Sequence, residues 1–340
     1  MKVKAVDIAR ELGISTATVS LAMNNREGVS ESTRAKVLEC KKRLEESGGT
    51  MIPTNGRLSG VIKNIIIMRG GEVVKGGELD IGMGARLEMD RIVKSWGCSL
   101  EVEYYNVMTD SPEQLAAKCN EASVLGVVVS GTEMCSEDQS ILSLIRKPIV
   151  ISDTDISPKY SCVVFNNAEA VKQAVYHLVQ RKMKNIVYLA YDLDIYNFRE
   201  RKEGFRSAMT ECNLYSEEKM VRLGFSVEES YVGLKRYLDM NGIPDAFITE
   251  CYPLSIAVIR AFKSMGIEMP RDISVIGVDE LPEYLTYDCP LSTIRVPHME
   301  RLKMLMLMLR HEIEDPNPIN KSKIFVNCDF IKGSTVAELQ

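Results

Sequence analysis

Long uncharged apolar stretches are missing from this 340-residue chain. No run approaches the roughly 18 to 20 residues a membrane helix needs, and no apolar segment follows Lys2 and Lys4 as it would in a secretory leader. The expected location is therefore the cytoplasm, with no membrane partner. Paired cysteines are missing too: the nine stand at positions 40, 98, 119, 135, 162, 212, 251, 289 and 328, an odd count with no C-x-x-C and no nearby histidine pair. This excludes a disulfide framework and a zinc site and fits reduced thiols. Catalytic constellations are equally scarce. His298 and His311 have no partner at metal-ligand spacing, and no Ser/His/Asp or paired-carboxylate arrangement stands out, which counts against an enzyme. Gly82 to Leu87 reads GMGARL, half of a G-x-G-x-x-G with Leu87 in place of the third glycine and no clear strand before it, so dinucleotide binding is not expected. No metal or cofactor is expected.

What is present is an uneven charge. The whole chain carries −5, from 42 Lys+Arg against 47 Asp+Glu, yet residues 1–60 hold ten basic and seven acidic side chains, +3, leaving −8 for the rest. Attraction to phosphate is local, so a basic end on an acidic chain points to nucleic acid; a solvated charged helix face accounts for the same numbers.

The hydrophobic pattern predicts three short helices over residues 1–47. Ala5 to Leu12 offers Val6, Ile8, Ala9 and Leu12 on one face, with Gly13 placed to end it. Ser15 is placed to cap a second helix from Thr16 to about Met23, and Ser30 a third in which Val37, Cys40 and Leu44 recur at helical spacing. Two helices joined by a tight turn and closed by a third form a helix-turn-helix unit. Residues 48–62, rich in glycine with Pro53 and Asn55-Gly56, are linker. From Lys63 on, strand candidates (64–68, 99–105, 126–130, 148–152, 185–190, 246–249, 273–278, 324–327) alternate with helical patterns (83–96, 113–121, 167–181, 199–212, 254–265). Strands of this length separated by helices imply parallel sheets covered on both faces, here two doubly wound α/β subdomains facing one another, with a ligand cleft at the carboxyl ends of their strands. The expected lobes are 63–164 with 294–324, and 165–293 with 325–340. The Met-Leu alternation from Met304 to Leu309 reads as a buried helix.

The N-terminal string closely resembles the DNA-binding headpiece of the lactose repressor family, through Asp7-Ile8-Ala9, Gly13-Ile14-Ser15, Thr18-Val19-Ser20, Asn24, Val29-Ser30, Thr33-Arg34 and Lys36-Val37. More weakly, Lys147 to Val150 leading to Asp153, Phe165-Asn166, His177-Leu178, Arg201 with Gly204-Phe205, Pro244 to Ala246, Asp272 to Glu280, Pro290 to Arg295 and Phe330 to Thr335 follow in family order. The resemblance implies a helix-turn-helix headpiece joined to a periplasmic-binding-protein-like core. It also implies a homodimer on a pseudo-palindromic double-stranded DNA operator, controlled by a small-molecule effector, possibly a carbohydrate. The chain shows no heptad extension before Gln340, so a dimer is expected over a tetramer. The competing class is a soluble sugar-binding protein of the same core without a regulatory role; the headpiece and the missing leader argue against it.

A recognition helix meets base edges with its early residues, here Thr16, Ala17 and, one turn on, Leu21. Family members commonly have arginine at that last position. Leucine offers only an apolar contact such as a thymine methyl, unless it is simply a partly buried helix residue. Ser15, Thr18, Ser20, Asn24 and Arg34 suit phosphate contacts, although Ser15 and Ser30 can equally serve as caps alone. Leu58 is the candidate minor-groove wedge of a hinge helix, with a plain flexible linker as the alternative. In the cleft the resemblance places Asp153, Phe165, Arg201 and Asp279 against the effector: carboxylates accepting hydroxyl protons, a guanidinium fork and an aromatic cover. Cys251 and Tyr252 stand where the family commonly has Asn-Asp, so the effector is expected to be larger, more aromatic, or absent.

Overall fold

The computed structural model describes residues 5–12, 14–24, 26, 28–46, 58–69, 81–224, 226–286, 289–315 and 321–338. It divides into two compact units, Met1–Arg57 and Leu58–Gln340.

The first unit contains α1 (Ala5–Leu12), α2 (Thr16–Met23) and α3 (Glu31–Glu46). Helices of eight residues are marginal alone, and these are held by a shared core in which Ile8, Ala9, Val19, Ala22, Val37 and Cys40 are buried together. Ser15 Oγ accepts the Thr18 N–H at 3.1 Å, and Ser30 Oγ accepts the Thr33 N–H at 3.2 Å. Each serine thus satisfies one of the free donors that open its helix. Gly13, expected to stop α1, lies outside the described residues, as do residues 47–57 of the linker.

The second unit is two parallel sheets. The first lobe runs β1 (Val61–Met68), α4 (Ile81–Ser95), β2 (Ser99–Asn106), α5 (Pro112–Cys119), β3 (Val124–Ser130), α6 (Gln139–Leu142), β4 (Ile149–Ser152) and β5 (Ser161–Phe165). The second runs α7 (Asn167–Gln180), β6 (Ile186–Tyr191), α8 (Tyr196–Glu211), β7 (Met220–Leu223), α9 (Val227–Asn241), β8 (Ala246–Thr249), α10 (Tyr252–Met265), β9 (Ser274–Val278), α11 (Glu283–Thr286) and β10 (Ser292–Arg295). The chain then returns through α12 (His298–Glu314) and β11 (Lys323–Val326) to the first lobe and ends on β12 (Asp329–Ile331) in the second. The sheet orders are β11-β5-β4-β3-β1-β2 and β12-β10-β9-β8-β6-β7, with β12 alone antiparallel to its neighbour.

Several elements differ from the sequence expectation for identifiable reasons. β1 starts at Val61, three residues early, because Lys63 and Asn64, which break the apolar run, are buried with partners: Lys63 Nζ reaches Glu101 at 2.7 Å and Asn64 accepts from Ser130 Oγ at 3.0 Å. Val61 and Ile62 are therefore strand and not linker. The strands β5, β7, β10 and β12 went unread, being three to five residues long and, in β7 and β12, half-exposed edge positions without a continuous apolar run. Lobe boundaries shift by about two residues, since β10 lies wholly in the second sheet and β11 wholly in the first. Gly82 and Gly84 lie inside α4, which is a helix and not a phosphate loop.

α12 packs on the first sheet: a Cβ on Gly126 of β3 would meet Leu309 Cδ1 at 2.9 Å, and Leu305, Met306, Met308 and Leu309 are buried. The lobes also interlock. Tyr196, the first residue of α8 in the second lobe, is buried in the hydrophobic core of the first, with Lys323 Nζ of β11 5.6 Å from its ring centre.

Candidate functional site

On the headpiece, burying Val19 and Ala22 leaves the opposite face of α2 to solvent: Ser15, Thr16, Ala17, Ser20 and Asn24 are exposed, Thr18 and Leu21 half-buried. α2 carries no charged residue, so this face offers hydroxyls and methyls alone. Several of the residues expected at phosphates also have work inside the headpiece. Thr18 Oγ1 pairs with Ser15 Oγ at 2.8 Å, Asn24 Nδ2 donates to the Ser20 carbonyl at 2.9 Å, and Arg34 donates to the carbonyls of Ala22 at 3.2 Å and Arg26 at 2.9 Å. Arg34 therefore ties α3 to the end of α2. Leu58 is half-buried at the start of the second unit, its N–H donating to the Trp96 carbonyl at 2.9 Å; the rest of the expected hinge helix falls outside the described residues.

In the core, Asp153 and Asp279 follow β4 and β9, corresponding strands of the two sheets, and both have left-handed backbones, φ 69° and 71°. Their N–H groups bond to corresponding strands as well, Asp153 to the Val163 carbonyl of β5 and Asp279 to the Ile294 carbonyl of β10. Thr132 Oγ1 and Ser152 Oγ donate to Asp153 Oδ2 at 3.2 and 3.4 Å, and Arg301 Nη1 pairs with Oδ1. The Arg301 guanidinium lies over the Phe165 ring, 4.8 Å from its centre, while His298 meets that ring edge-on at 5.5 Å and stands 3.7 Å from Asp279 Oδ1. Asp153, Phe165 and Asp279 are thus joined through two residues in the first turn of α12, His298 and Arg301. Burial alone would raise the Asp279 carboxyl; the His298 contact and the Arg201 charge outweigh it and hold it below its ordinary value.

Arg201 is buried, its Nε donating to Asn167 Oδ1 at 2.8 Å and Nη1 to the Glu250 carbonyl at 2.7 Å, with Asn167 in turn bonded to Asn197 at 2.9 Å. Two of its five donors are therefore spent holding the floor of the second lobe. Beneath it, the Glu250 side chain is fully buried, accepting from the Tyr191 N–H at 2.8 Å and Tyr188 Oη at 3.2 Å, and burial pushes its carboxyl up to about 8 against the pull of Lys202. Cys251 is buried, its thiol pushed up by burial, which makes it a packing residue and not a nucleophile. Tyr252 opens α10, half-buried. The sequence reading missed Arg301, Asn167, Asn197 and Glu250 and left His298 without a partner; Glu250, beside Cys251, and Asn167, two residues after Phe165, stood near expected sites. Among the described residues no group of three or more His, Cys, Asp or Glu side chains could hold a metal, and no helix is long and apolar enough to cross a membrane.

Residues 6–45 match the model of bacterial regulatory proteins of the lacI family, and residues 175–336 match the periplasmic binding protein-like domain. The headpiece is of the lacI family. Among curated relatives, the chain is 25% identical over 299 residues to the HTH-type transcriptional regulator MalR of Clostridium butyricum, covering 86% of the chain and 87% of the relative. Among solved structures it is similar to the transcriptional regulator CelR-cellobiose complex, TM-score 0.70 at 17% identity over 96% of this chain and 98% of that one. The lac repressor dimer bound to operator and the anti-inducer ONPF gives TM-score 0.69 at 19% identity over 99% and 100%.

Proposed function

We propose that this chain is a sequence-specific DNA-binding transcriptional repressor, acting as a homodimer on a pseudo-palindromic operator and controlled by a small molecule bound between its two lobes. The observation that carries the reading is the uncharged, exposed face of α2, with Thr16, Ala17 and Ser20 outward over a packed Val19 and Ala22 on a lacI-family headpiece. A sugar-binding protein without regulatory work has no use for such a face. The similarity to a repressor dimer on its operator and to a regulator holding cellobiose supports both halves of the reading. Coupling follows if the ligand prefers one lobe arrangement and the DNA-bound dimer prefers one as well.

Selection of bound duplexes from a random library, followed by footprinting at ~100 mM salt where phosphate attraction alone is weak, tests the first half. The expected product is a two-fold symmetric site. Enrichment of no sequence would overturn the regulator reading. Small-molecule control is tested by release or tightening of that operator when a ligand that raises the melting temperature is added.

A further inference from the structure

Far from the cleft, α12 buries a second arginine. Arg310 is 2% exposed and follows a stretch of inward residues that are otherwise apolar, Leu305, Met306, Met308 and Leu309. Replacing a buried ion pair by apolar side chains of similar volume is often neutral or stabilising, so packing alone does not account for an arginine here. Its Nε pairs with Glu314 at 2.6 Å, one turn on, and its guanidinium lies 5.5 Å from the centre of the buried Trp96 ring. Tryptophan is the aromatic face that holds a cation best, and more so where water is excluded.

The backbone of Trp96 leads to the linker. α4 stops at Ser95 and Gly97 takes a left-handed φ of 89°, which leaves the Trp96 carbonyl among those that the helix itself does not pair. Leu58, the first described residue after the linker, donates its N–H to that carbonyl at 2.9 Å. Further in, the Gly60 carbonyl accepts the Ser99 N–H at 3.0 Å and the Val61 N–H meets the Ser123 carbonyl at 2.8 Å. The Trp96 bond is therefore the outermost of the described backbone contacts that fix where the chain enters the core. α12 reaches this end of the sheet by running back from the cleft, and a Cβ on Gly126, near the start of β3, would meet Ile313 Cδ1 at 3.0 Å.

Resting on the regulator reading above, we propose that Arg310 is a positioning residue for operator binding: it seats the Trp96 ring, and the Trp96 carbonyl in turn sets the point at which the headpiece's linker enters the core. Two headpieces must meet two half-sites at a fixed separation. A linker root that wanders spreads them over spacings the duplex does not offer, and affinity falls with the fraction of molecules that hold the right one.

Trp96 is the only tryptophan of the chain, so its emission reports this place alone. The test is fluorescence titration of the full chain, exciting tryptophan selectively, with the symmetric duplex enriched by selection and with a scrambled duplex of equal length. Trp96 emission should change with the enriched duplex and not with the scrambled one. Arg310→Met should fold with a melting temperature no lower than that of wild type, yet bind the enriched duplex about 10-fold more weakly and without the change in emission. Arg310→Lys, which keeps a cation for the ring, should recover part of both; a purely structural role would move the melting temperature and leave these two readouts alone. Operator affinity unchanged in Arg310→Met, or wild-type emission that responds alike to both duplexes, overturns the inference and leaves the regulator reading standing. If Arg310→Met does not fold, the wild-type emission and Arg310→Lys decide, and a lysine variant with full wild-type affinity and emission change overturns it. Selection that enriches no duplex removes the regulator reading and this inference with it.

Discussion

Replacing Glu250 by glutamine should stabilise the core, and by an amount set by pH. In the folded chain this carboxyl sits at about 8 against an ordinary 4.5, the dominant cause being its complete burial beneath Arg201. Between those values the folded state holds a proton that the unfolded chain has released, so the unfolded state binds fewer protons and stability falls as pH rises through the window. Integrated over the window, the loss is on the order of 5 kcal/mol above pH 8, and about 3 kcal/mol of it is already present at pH 7. Glutamine does not titrate and nearly matches the protonated acid in shape. Its carbonyl can take the Tyr191 N–H and its amide can donate to Tyr188 Oη, two of the three partners Glu250 now has, the third being Lys202 Nζ at 3.7 Å. Urea denaturation of wild type and Glu250→Gln at pH 5, 6, 7, 8 and 9 should show near-equal core stability at pH 5 and a growing advantage for the variant up to pH 8, then a plateau. A difference that stays flat across the series, or one that favours the wild type at pH 9, would refute the argument that burial controls this carboxyl.

Three further substitutions probe other parts of the molecule. Gly204→Ala would place a Cβ 2.3 Å from the Ala168 carbonyl oxygen where α8 crosses α7, so the core should lose about 1–3 kcal/mol by overpacking, read as a lowered urea midpoint. Arg34→Lys keeps the charge and removes the fork that holds the Ala22 and Arg26 carbonyls; operator affinity should fall, and the headpiece should melt at lower temperature, whereas undiminished affinity would leave Arg34 as a phosphate charge alone. Tyr196→Ala removes a ring of the second lobe from the core of the first and should cost about 3 kcal/mol. It should also enlarge the radius of gyration of the unliganded core in solution scattering, while an unchanged radius would mean that the ring does not hold the lobes together.

The headpiece was legible because its signals are local. Ser15 and Ser30 each cap within three residues, and the buried set from Ile8 to Cys40 repeats at helical spacing. In the core, β-branched runs such as Val127 to Val129 announce interior strands, whereas β10, which reads Ser292-Thr293-Ile294-Arg295, does not, although three of its four residues are buried. Its hydroxyls are satisfied from afar: Thr293 Oγ1 donates to the Asp279 carbonyl, and Ser292 Oγ accepts the Gly333 N–H. The cleft was half legible for the same reason. Asp153 and Phe165 lie in recognisable stretches, but Arg301 meets its carboxylate across 148 positions of chain, a pairing that no spacing announces. Glu250 looked like a flanking residue because nothing in its neighbours shows that Tyr188 and Tyr191 close over it.

The matching left-handed turns at Asp153 and Asp279 relate the two lobes as a pseudo-two-fold pair, each half built on the same plan and offering the same carboxylate. A ligand placed between equal halves would have no preferred way round. Here direction is supplied by one short piece of chain, since the first turn of α12 gives an arginine to one aspartate and an imidazole to the other. Exchanging that single turn would therefore alter which end of a molecule faces which lobe without rebuilding either sheet, so a lineage carrying this frame can acquire new ligand orientations through two or three substitutions between His298 and Arg301.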